Sequence, residues 1–390
     1  MISVNEAKNL ILDLCNSDRI QTLPLIQTCG SVLAESVLAT IDTPPFHQSA
    51  MDGYAFVFEL WDGVSPLMVI GEIQAGQISN KILKVNEALR IFTGAAMPTG
   101  ADTVVMQEKV MIQGSHILIQ SPGLMKGNNV RLQGSQTMKG EIALNKGQLL
   151  TPAGISYLAG IGIRDVKVFK PTVSILVTGK ELSAAGEDLE SGKIFESNAI
   201  GLTAALRQLD MNPEVIEVVD DVEEDLIQSI KSNLNVDLLI LTGGVSVGDY
   251  DLVPKSLANC GVNKIFHTVK QKPGKPFYFG TYQQTLIFAL PGNPAAVMTC
   301  FYEYIAPAIS RFTKKEYFKS LLLPLSTDFV KKSGLTYFLK GKTSNHEVTI
   351  LNQQESYLLN SFAIADCLIE LEEDKEFVNQ GENVRVLMII

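Results

Sequence analysis

Residues 172–242 alternate between two kinds of segment, and that alternation narrows the possible folds more than any other feature of the chain. TVSILVT (172–178) is an apolar run of strand length. Asn198 can cap a helix through Leu209 that carries Ile200, Leu202, Leu206 and Leu209. EVIEVV (214–219) is strand-like, and VEEDLIQSIKSNL sets Val222, Leu226, Ile227, Ile230 and Leu234 on one helical face. DLLILT (237–242) closes the series. Strands this apolar must be covered on both faces, which predicts a parallel sheet flanked by helices. TLIFALPGNPAAV repeats the strand, turn and helix, with Pro294 in the first helical turn. Ligands of such sheets bind beyond the carboxyl ends of the strands. The loops TGKEL, TGGVSVGDYD and LPGNP are therefore the places to look for chemistry.

The flanking regions have other textures. Ser3 and Glu6 form a capping box before Val4, Ala7, Leu10, Ile11 and Leu14, so the chain opens on a helix, and residues 1–43 look helical. Residues 44–136 are rich in short alternating runs and turn residues, as in LMVIGEIQAGQ and HILIQSPG. Residues 137–170 return to a mixed texture, with TPAGISYLAG as a short helix. The expected architecture is a multidomain α/β protein. Residues 1–43 plus 137–170 form an N-terminal helical or mixed domain, 44–136 a β-rich insertion, 171–312 the α/β domain, and 313–390 a small β domain or barrel.

A formal net charge of −10 over 390 residues argues against a general nucleic-acid binder. No apolar run reaches the ~20 residues of a membrane helix, and the N-terminus shows no cleavage signature, so a cytoplasmic location is expected. The five cysteines are scattered without a CxxC, which points to buried structural thiols rather than disulfides or a thiolate zinc site. The four histidines are isolated too.

Several stretches carry candidate chemistry, each with a plain structural alternative. In TGGVSVGDYD, Gly243, Gly244, Ser246 and Gly248 either make a tight turn or let backbone amides approach an anion; Asp249 and Asp251 follow, suited to a solvated or Mg²⁺-binding position. In KQKPGKP, Lys270, Lys272 and Lys275 sit on a turn stiffened by Pro273 and Pro276, either solvated or preorganised for an oxyanion. In LPGNPAAV, Pro291, Gly292, Asn293 and Pro294 start a helix whose unpaired N–H groups favour anions, though capping by Asn293 explains the pattern equally well. Asp52 of SAMDGYA is a carboxylate ligand, a base or a turn former. Glu181 of TGKEL projects from a strand end. No G-x-S-x-G elbow or Ser-His-Asp set is present.

Taken in order, SAMDGYA, IFTGAAMPTGADTVVMQE, TGKEL, FESN, TGGVSVGDYD, KPGKPFYFG and LPGNPAAV resemble the molybdopterin molybdotransferase family, which includes the E domain of gephyrin. The resemblance implies elongated subunits of four subdomains forming a homodimer with the site at the subunit interface. It implies Mg²⁺-dependent insertion of molybdate into adenylylated molybdopterin, with release of AMP. By motif, it implies catalytic roles for Asp52, Glu181, Asp251, Lys272 and Lys275, with Asp251 and Glu181 as candidate Mg²⁺ ligands. Substrate contacts are implied at Ser49, Thr93, Gly94, Ser197, Asn198, Gly243, Gly244, Ser246, Gly248 and Pro291–Pro294. The dithiolene sulfurs that hold molybdenum belong to the pterin, so no protein cysteine is required. A molybdopterin adenylyltransferase and molybdoenzyme maturation factors are the implied partners.

The chain departs from the family pattern in places. VRLQGSQ puts Gln136 where the family often has an acid, and TGKEL stands for TGDEL. GLTYFLKG has Leu335 and Lys340 where two arginines are usual; Lys340 is read as an oxyanion contact, with Ser356 and Ser361 as further polar contacts. Two other readings compete: a molybdopterin adenylyltransferase, and a scaffold that kept the fold without the catalysis.

Overall fold

A computed structural model describes residues 1–245 and 252–390. The chain divides into two compact units: one comprises Met1–Thr22, Gly30–Ala34 and Lys167–Ile390, the other Leu23–Cys29 and Glu35–Val166.

The larger unit is built on a six-stranded sheet in the order Val215–Val219, Val173–Thr178, Leu238–Thr242, Thr285–Leu290, Pro276–Tyr282, Asn263–Thr268. The first four strands are parallel, as their apolar runs predict. Pro276–Tyr282 runs antiparallel to Thr285–Leu290, to which it is joined by a two-residue turn in which Gln283 takes φ 51°, and Asn263–Thr268 pairs antiparallel with Pro276–Tyr282 in turn. Alternate residues serve opposite faces. Ile175, Val177, Leu238 and Ile240 pack with Leu202 and Leu206 of the helix Asn198–Gln208, whereas Leu176, Leu239 and Leu241 pack with Leu226, Ile230, Val253 and Leu257. From Val173–Thr178 the chain crosses to one neighbour, Val215–Val219, and then to the other, Leu238–Thr242. The direction of winding therefore reverses between the carboxyl ends at Thr178 and Thr242.

The opening helix is Val4–Asp13, and the Ser3 hydroxyl accepts the Glu6 N–H as the capping box predicts. Its stripe of Val4, Ala7 and Ile11 is buried in the α/β core. Burial of Ile11 alone contributes about 2 kcal/mol. The expected helical character of residues 1–43 is corrected here: α-helix stops at Asp13, Ile20–Pro24 and Val37–Leu38 are strands, and a single 3-10 turn spans Leu25–Gln27. The chain between them is interrupted by Pro24 and Gly30 and has no helical stripe to bury. Further on, the helix Pro294–Cys300 runs through a π-helical turn, Phe301–Ile305, into Ala306–Thr313.

The C-terminal strands belong to the same unit. Thr336–Ser344, Cys367–Leu371, Asn383–Met388 and Ser320–Pro324 pair in that order, and Glu347–Ile350 pairs with the far end of Thr336–Ser344. Leu325, just past Pro324, bridges to Val348 and brings the sheet round on itself, as expected of a small barrel. Its interior holds Leu339, Val348, Ile369 and Val386. One strand arrives from elsewhere in the sequence: Gln271–Lys272 pairs in parallel with Thr336–Tyr337.

The smaller unit holds a six-stranded sheet in which Gly53–Phe56 lies between Thr103–Met106 and Glu87–Ile91. Two short pairs, Gln48–Ser49 with Val130–Arg131 and Val37–Leu38 with Ile142–Leu144, form separate two-stranded ladders. The helix Pro152–Gly160 is capped by Thr151, whose hydroxyl accepts the Gly154 N–H at 3.1 Å. Cys15, Cys260, Cys300 and Cys367 are buried free thiols, and Cys29 is exposed. Among the described residues no helix is long and apolar enough to cross a membrane.

Candidate functional site

Three strand ends of the larger unit converge on a polar knot. The Thr242 hydroxyl donates to the Pro291 carbonyl at 3.1 Å. The Asn198 side-chain amide donates to the Thr242 hydroxyl at 3.1 Å and to the Gly292 carbonyl at 2.9 Å. Asn198 is therefore not the helix cap expected from its position. The Glu196 carboxylate takes that role, accepting the Ala199 N–H at 2.8 Å, which leaves the Asn198 amide to tie two loops together. Gly243 adopts φ +95°, and a Cβ there would lie 2.1 Å from the Thr178 carbonyl oxygen, so only glycine lets the two strand ends close up.

The amides at the start of the Pro294 helix, expected to be unpaired, are already occupied. Ala295 N–H donates to the Ser356 carbonyl, and Ala296 and Val297 donate to the Asn293 carbonyl, each at 3.0 Å. The Asn293 side chain reaches the Ser356 hydroxyl at 2.8 Å instead of capping the helix. The barrel loop carrying Ser356 is thereby fastened to the LPGNP turn. Beside the knot lies a largely apolar cleft of 570 Å³, bordered by Ser197, Asn198, Pro294, Met298, Leu359 and Phe362.

Glu181 is exposed, its carboxylate folded back over Gly179. Asp221, which the sequence reading passed over, sits at the next strand end. It accepts the Thr178 hydroxyl at 2.5 Å and the Lys180 N–H at 3.4 Å. Its signal was available: it follows EVIEVV at a carboxyl edge. Ser246, Gly248, Asp249 and Asp251 lie outside the described residues. Among the described residues, no group of three or more His, Cys, Asp or Glu side chains could hold a metal. Mg²⁺ commonly binds through one or two carboxylates plus substrate phosphates and water. The exposed Glu181 fits that mode and not an all-protein cage.

The lysine turn is sorted by its contacts. Lys270 is neutralised by Glu373 at 2.7 Å. Lys272 and Lys275 are exposed, and neither forms an ion pair among the described residues. Lys272 ends the short strand that pairs with the barrel, and its ammonium lies 5.2 Å from the centre of the Tyr337 ring, a cation–π contact that steadies the side chain without cancelling its charge. The Lys272–Pro273 bond is cis.

Lys340 corrects an expectation. It is 3% exposed, and its ammonium donates to the carbonyls of Gln353 (2.6 Å), Leu358 (3.1 Å) and Glu355 (3.4 Å). Burial lowers its pKa, partly opposed by Glu355. All three protons are committed, so Lys340 shapes the loop that bears Ser356 and is closed to an oxyanion. Ser361 does similar work: it is buried, and its hydroxyl donates to the Gln353 carbonyl at 2.8 Å.

In the smaller unit, SAMDGYA meets TGAAMPTG. Asp52 accepts the Thr93 N–H at 2.8 Å and the Thr93 hydroxyl at 2.7 Å. Gly94 N–H donates to the Ser49 carbonyl at 2.9 Å, and the buried Ser49 hydroxyl donates to the Met51 carbonyl at 2.6 Å. The Thr93 amide, then its hydroxyl, holds the Asp52 pKa below the usual carboxylate value. Asp52 is thus an exposed, ionised acceptor at neutral pH and a poor proton acceptor. Gln136 is exposed, with its backbone N–H on the Thr43 carbonyl.

A helix-covered parallel sheet whose strand-end loops meet at its switch point, joined to a small barrel, defines the class as a multidomain α/β protein. Comparison with known proteins narrows that class. Residues 2–162 match the model of the MoeA N-terminal region (domain I and II), residues 174–311 a probable molybdopterin binding domain, and residues 323–389 the MoeA C-terminal region (domain IV). The molybdopterin molybdenumtransferase of Haemophilus influenzae is 31% identical over 99% of this chain and 98% of its own. That of Staphylococcus aureus (strain COL) is 32% identical over 99% and 95%. A crystal structure of the molybdopterin biosynthesis MoeA protein from Pyrococcus horikoshii superposes with a TM-score of 0.78 at 29% identity, covering 100% of this chain and 99% of the other. The chain belongs to the molybdopterin molybdenumtransferase family.

Proposed function

We propose that the protein transfers molybdate onto adenylylated molybdopterin, releasing AMP, in a Mg²⁺-dependent reaction. The observation that carries this reading is the pair of uncompensated lysines, Lys272 and Lys275, in a chain of net charge −10 whose family membership spans its full length. Family membership makes the protein a transferase of molybdenum cofactor biosynthesis; AMP release and the metal requirement go beyond that.

In this reading the two ammonium groups hold the dianionic molybdate and screen it from the phosphates of the second substrate. The knot of Asn198, Thr242 and Gly292 fixes the strand-end loops, and Gly243 lets the strand ends at Thr178 and Thr242 close up beside them. The fastening of Ser356 to Asn293 holds the barrel loop beside the apolar cleft, which suits a flat pterin ring. Glu181, together with Asp251 by motif, would hold Mg²⁺, which when bound withdraws charge from the adenylyl phosphate. Water then adds to the adenylyl phosphorus, the pterin phosphate leaves, and AMP departs. Molybdenum binds the two pterin sulfurs, with their protons leaving in water formed from molybdate oxygens. Asp52, kept ionised by Thr93, accepts hydrogen bonds and moves no proton. The proposal includes a homodimer with the site at the subunit interface, and action in the cytoplasm.

The test is AMP release from adenylylated molybdopterin with molybdate and Mg²⁺ each present or omitted. The reading expects release to require both. Release that ignores molybdate would refute it.

A further inference from the structure

We infer that Gln271 is a positioning residue for the lysine turn, acting through a buried hydrogen-bond relay that begins at Tyr304. Gln271 is 1% exposed, although glutamine is ordinarily a surface residue. Its side-chain amide donates to the carbonyls of Pro273 (3.1 Å) and Gly274 (3.0 Å), the two residues between Lys272 and Lys275 that set the spacing of the ammonium groups. Its side-chain oxygen accepts the Tyr304 hydroxyl, which fixes the amide so that nitrogen faces the turn. Tyr304 is 1% exposed and lies on the π-helical turn Phe301–Ile305, a local distortion often found near functional sites.

The fit leaves little slack. Gly274 has φ +84°, and a Cβ on it would lie 2.8 Å from the Gln271 side-chain nitrogen and 2.8 Å from Cys300 Sγ. Cys300 ends the helix that starts at Pro294. The floor of the lysine turn is therefore one end of a helix whose other end is the LPGNP turn. The two prolines stiffen the backbone, but prolines cannot choose which way a turn leans over its support. The buried amide makes that choice, because both carbonyls must point at one nitrogen. With it gone, the ammonium groups keep their charge and exposure but lose the fixed turn that carries them.

This inference rests on the reading of Lys272 and Lys275 as oxyanion contacts, and the experiment separates the two. Molybdate KM and kcat, and molybdate binding by calorimetry, are measured for Gln271→Met, Tyr304→Phe and Lys275→Ala. Methionine keeps the volume and removes both donations. A misdirected contact costs about 10- to 100-fold, so Gln271→Met should raise the molybdate KM and Kd by that factor. The KM for adenylylated molybdopterin should change far less. Tyr304→Phe should move the same constants in the same direction by a smaller factor. In the double variant Gln271→Met/Lys275→Ala, the two effects should fall well short of additive.

If Lys275→Ala leaves molybdate binding unchanged, the oxyanion reading itself is wrong. If Lys275→Ala weakens binding while Gln271→Met does not, only the positioning role is overturned. Should Gln271→Met fail to fold, Tyr304→Phe decides: an unchanged molybdate KM overturns the inference. Equal losses for both substrates would show a merely structural role and overturn it as well.

Discussion

The lysine turn at 272–275 and the lysine at 340 carry the same functional group, yet the structure gives them opposite work. Lys272 and Lys275 are exposed on a turn whose backbone is fixed from beneath by Gln271, so their protons remain available. Lys340 is buried, and its three protons are spent on the carbonyls of Gln353, Glu355 and Leu358. Lys8 represents a third case, in which the charge is spent on carboxylates: Glu303 at 2.6 Å and Glu370 at 3.3 Å. Charge alone does not make a lysine a ligand; what counts is whether its hydrogen bonds are already committed within the protein.

This comparison can be broken or sharpened by substitution. The largest effect on stability is expected at Lys8. Lys8→Met strands the Glu303 carboxylate, 4% exposed, inside the core, and should cost about 3–5 kcal/mol by urea denaturation. Lys340→Met removes the ammonium that ties together the carbonyls of Gln353, Glu355 and Leu358; Gln353 keeps the Ser361 hydroxyl and Glu355 the Leu358 N–H, so the loss of a donor falls mainly on Leu358. The substitution should lower stability by roughly 2 kcal/mol, with any activity loss recovered when the protein is assayed well below its melting temperature. Asn293→Ala, which removes the side-chain tie to Ser356 and leaves the one from the Ala295 N–H, should cost about 1 kcal/mol and raise the KM for the pterin substrate more than that for molybdate. A stable, inactive Lys340→Met would reverse the assignment of Lys340.

The smallest expected effect concerns pH. Thr93 lowers the Asp52 pKa from its ordinary 3.8, so the carboxylate stays ionised above that value. Any stability it contributes is present above the unfolded pKa and is lost only as pH falls through the lower folded value. Between about pH 5 and 9 Asp52 therefore does not titrate. Asp52→Asn should not shift the acid limb of the rate profile: the limb should stay at the same pH in both proteins while its height falls. A limb that moves with the substitution would show Asp52 to be the titrating base.

How much of this was legible in the sequence depends on what carried each feature. Three of the parallel strands were legible because TVSILVT, DLLILT and TLIFAL announce burial by composition; EVIEVV was legible as a strand, but it forms the sheet edge and leaves Val215, Ile216 and Val218 exposed. The opening helix was legible to its cap, but not where it docks, since an apolar stripe does not name its partner. The pairing of Gln271–Lys272 with the barrel was hidden, because two residues have no period to read. Asn198 looked like a cap because asparagine usually is one; it was overruled by two acceptors brought close only by the folded sheet ends. Lys340 was misread because its partners are main-chain carbonyls 13 to 18 residues downstream, and a carbonyl leaves no mark on the sequence.

The account turns on the availability of the turn lysines, and molybdate-dependent AMP release by Lys275→Ala measures this most directly. Loss of one preorganised charge contact should lower kcat/KM for molybdate by about 100-fold, or roughly 3 kcal/mol, with an unchanged melting temperature. A variant that releases AMP with the wild-type molybdate dependence would contradict it.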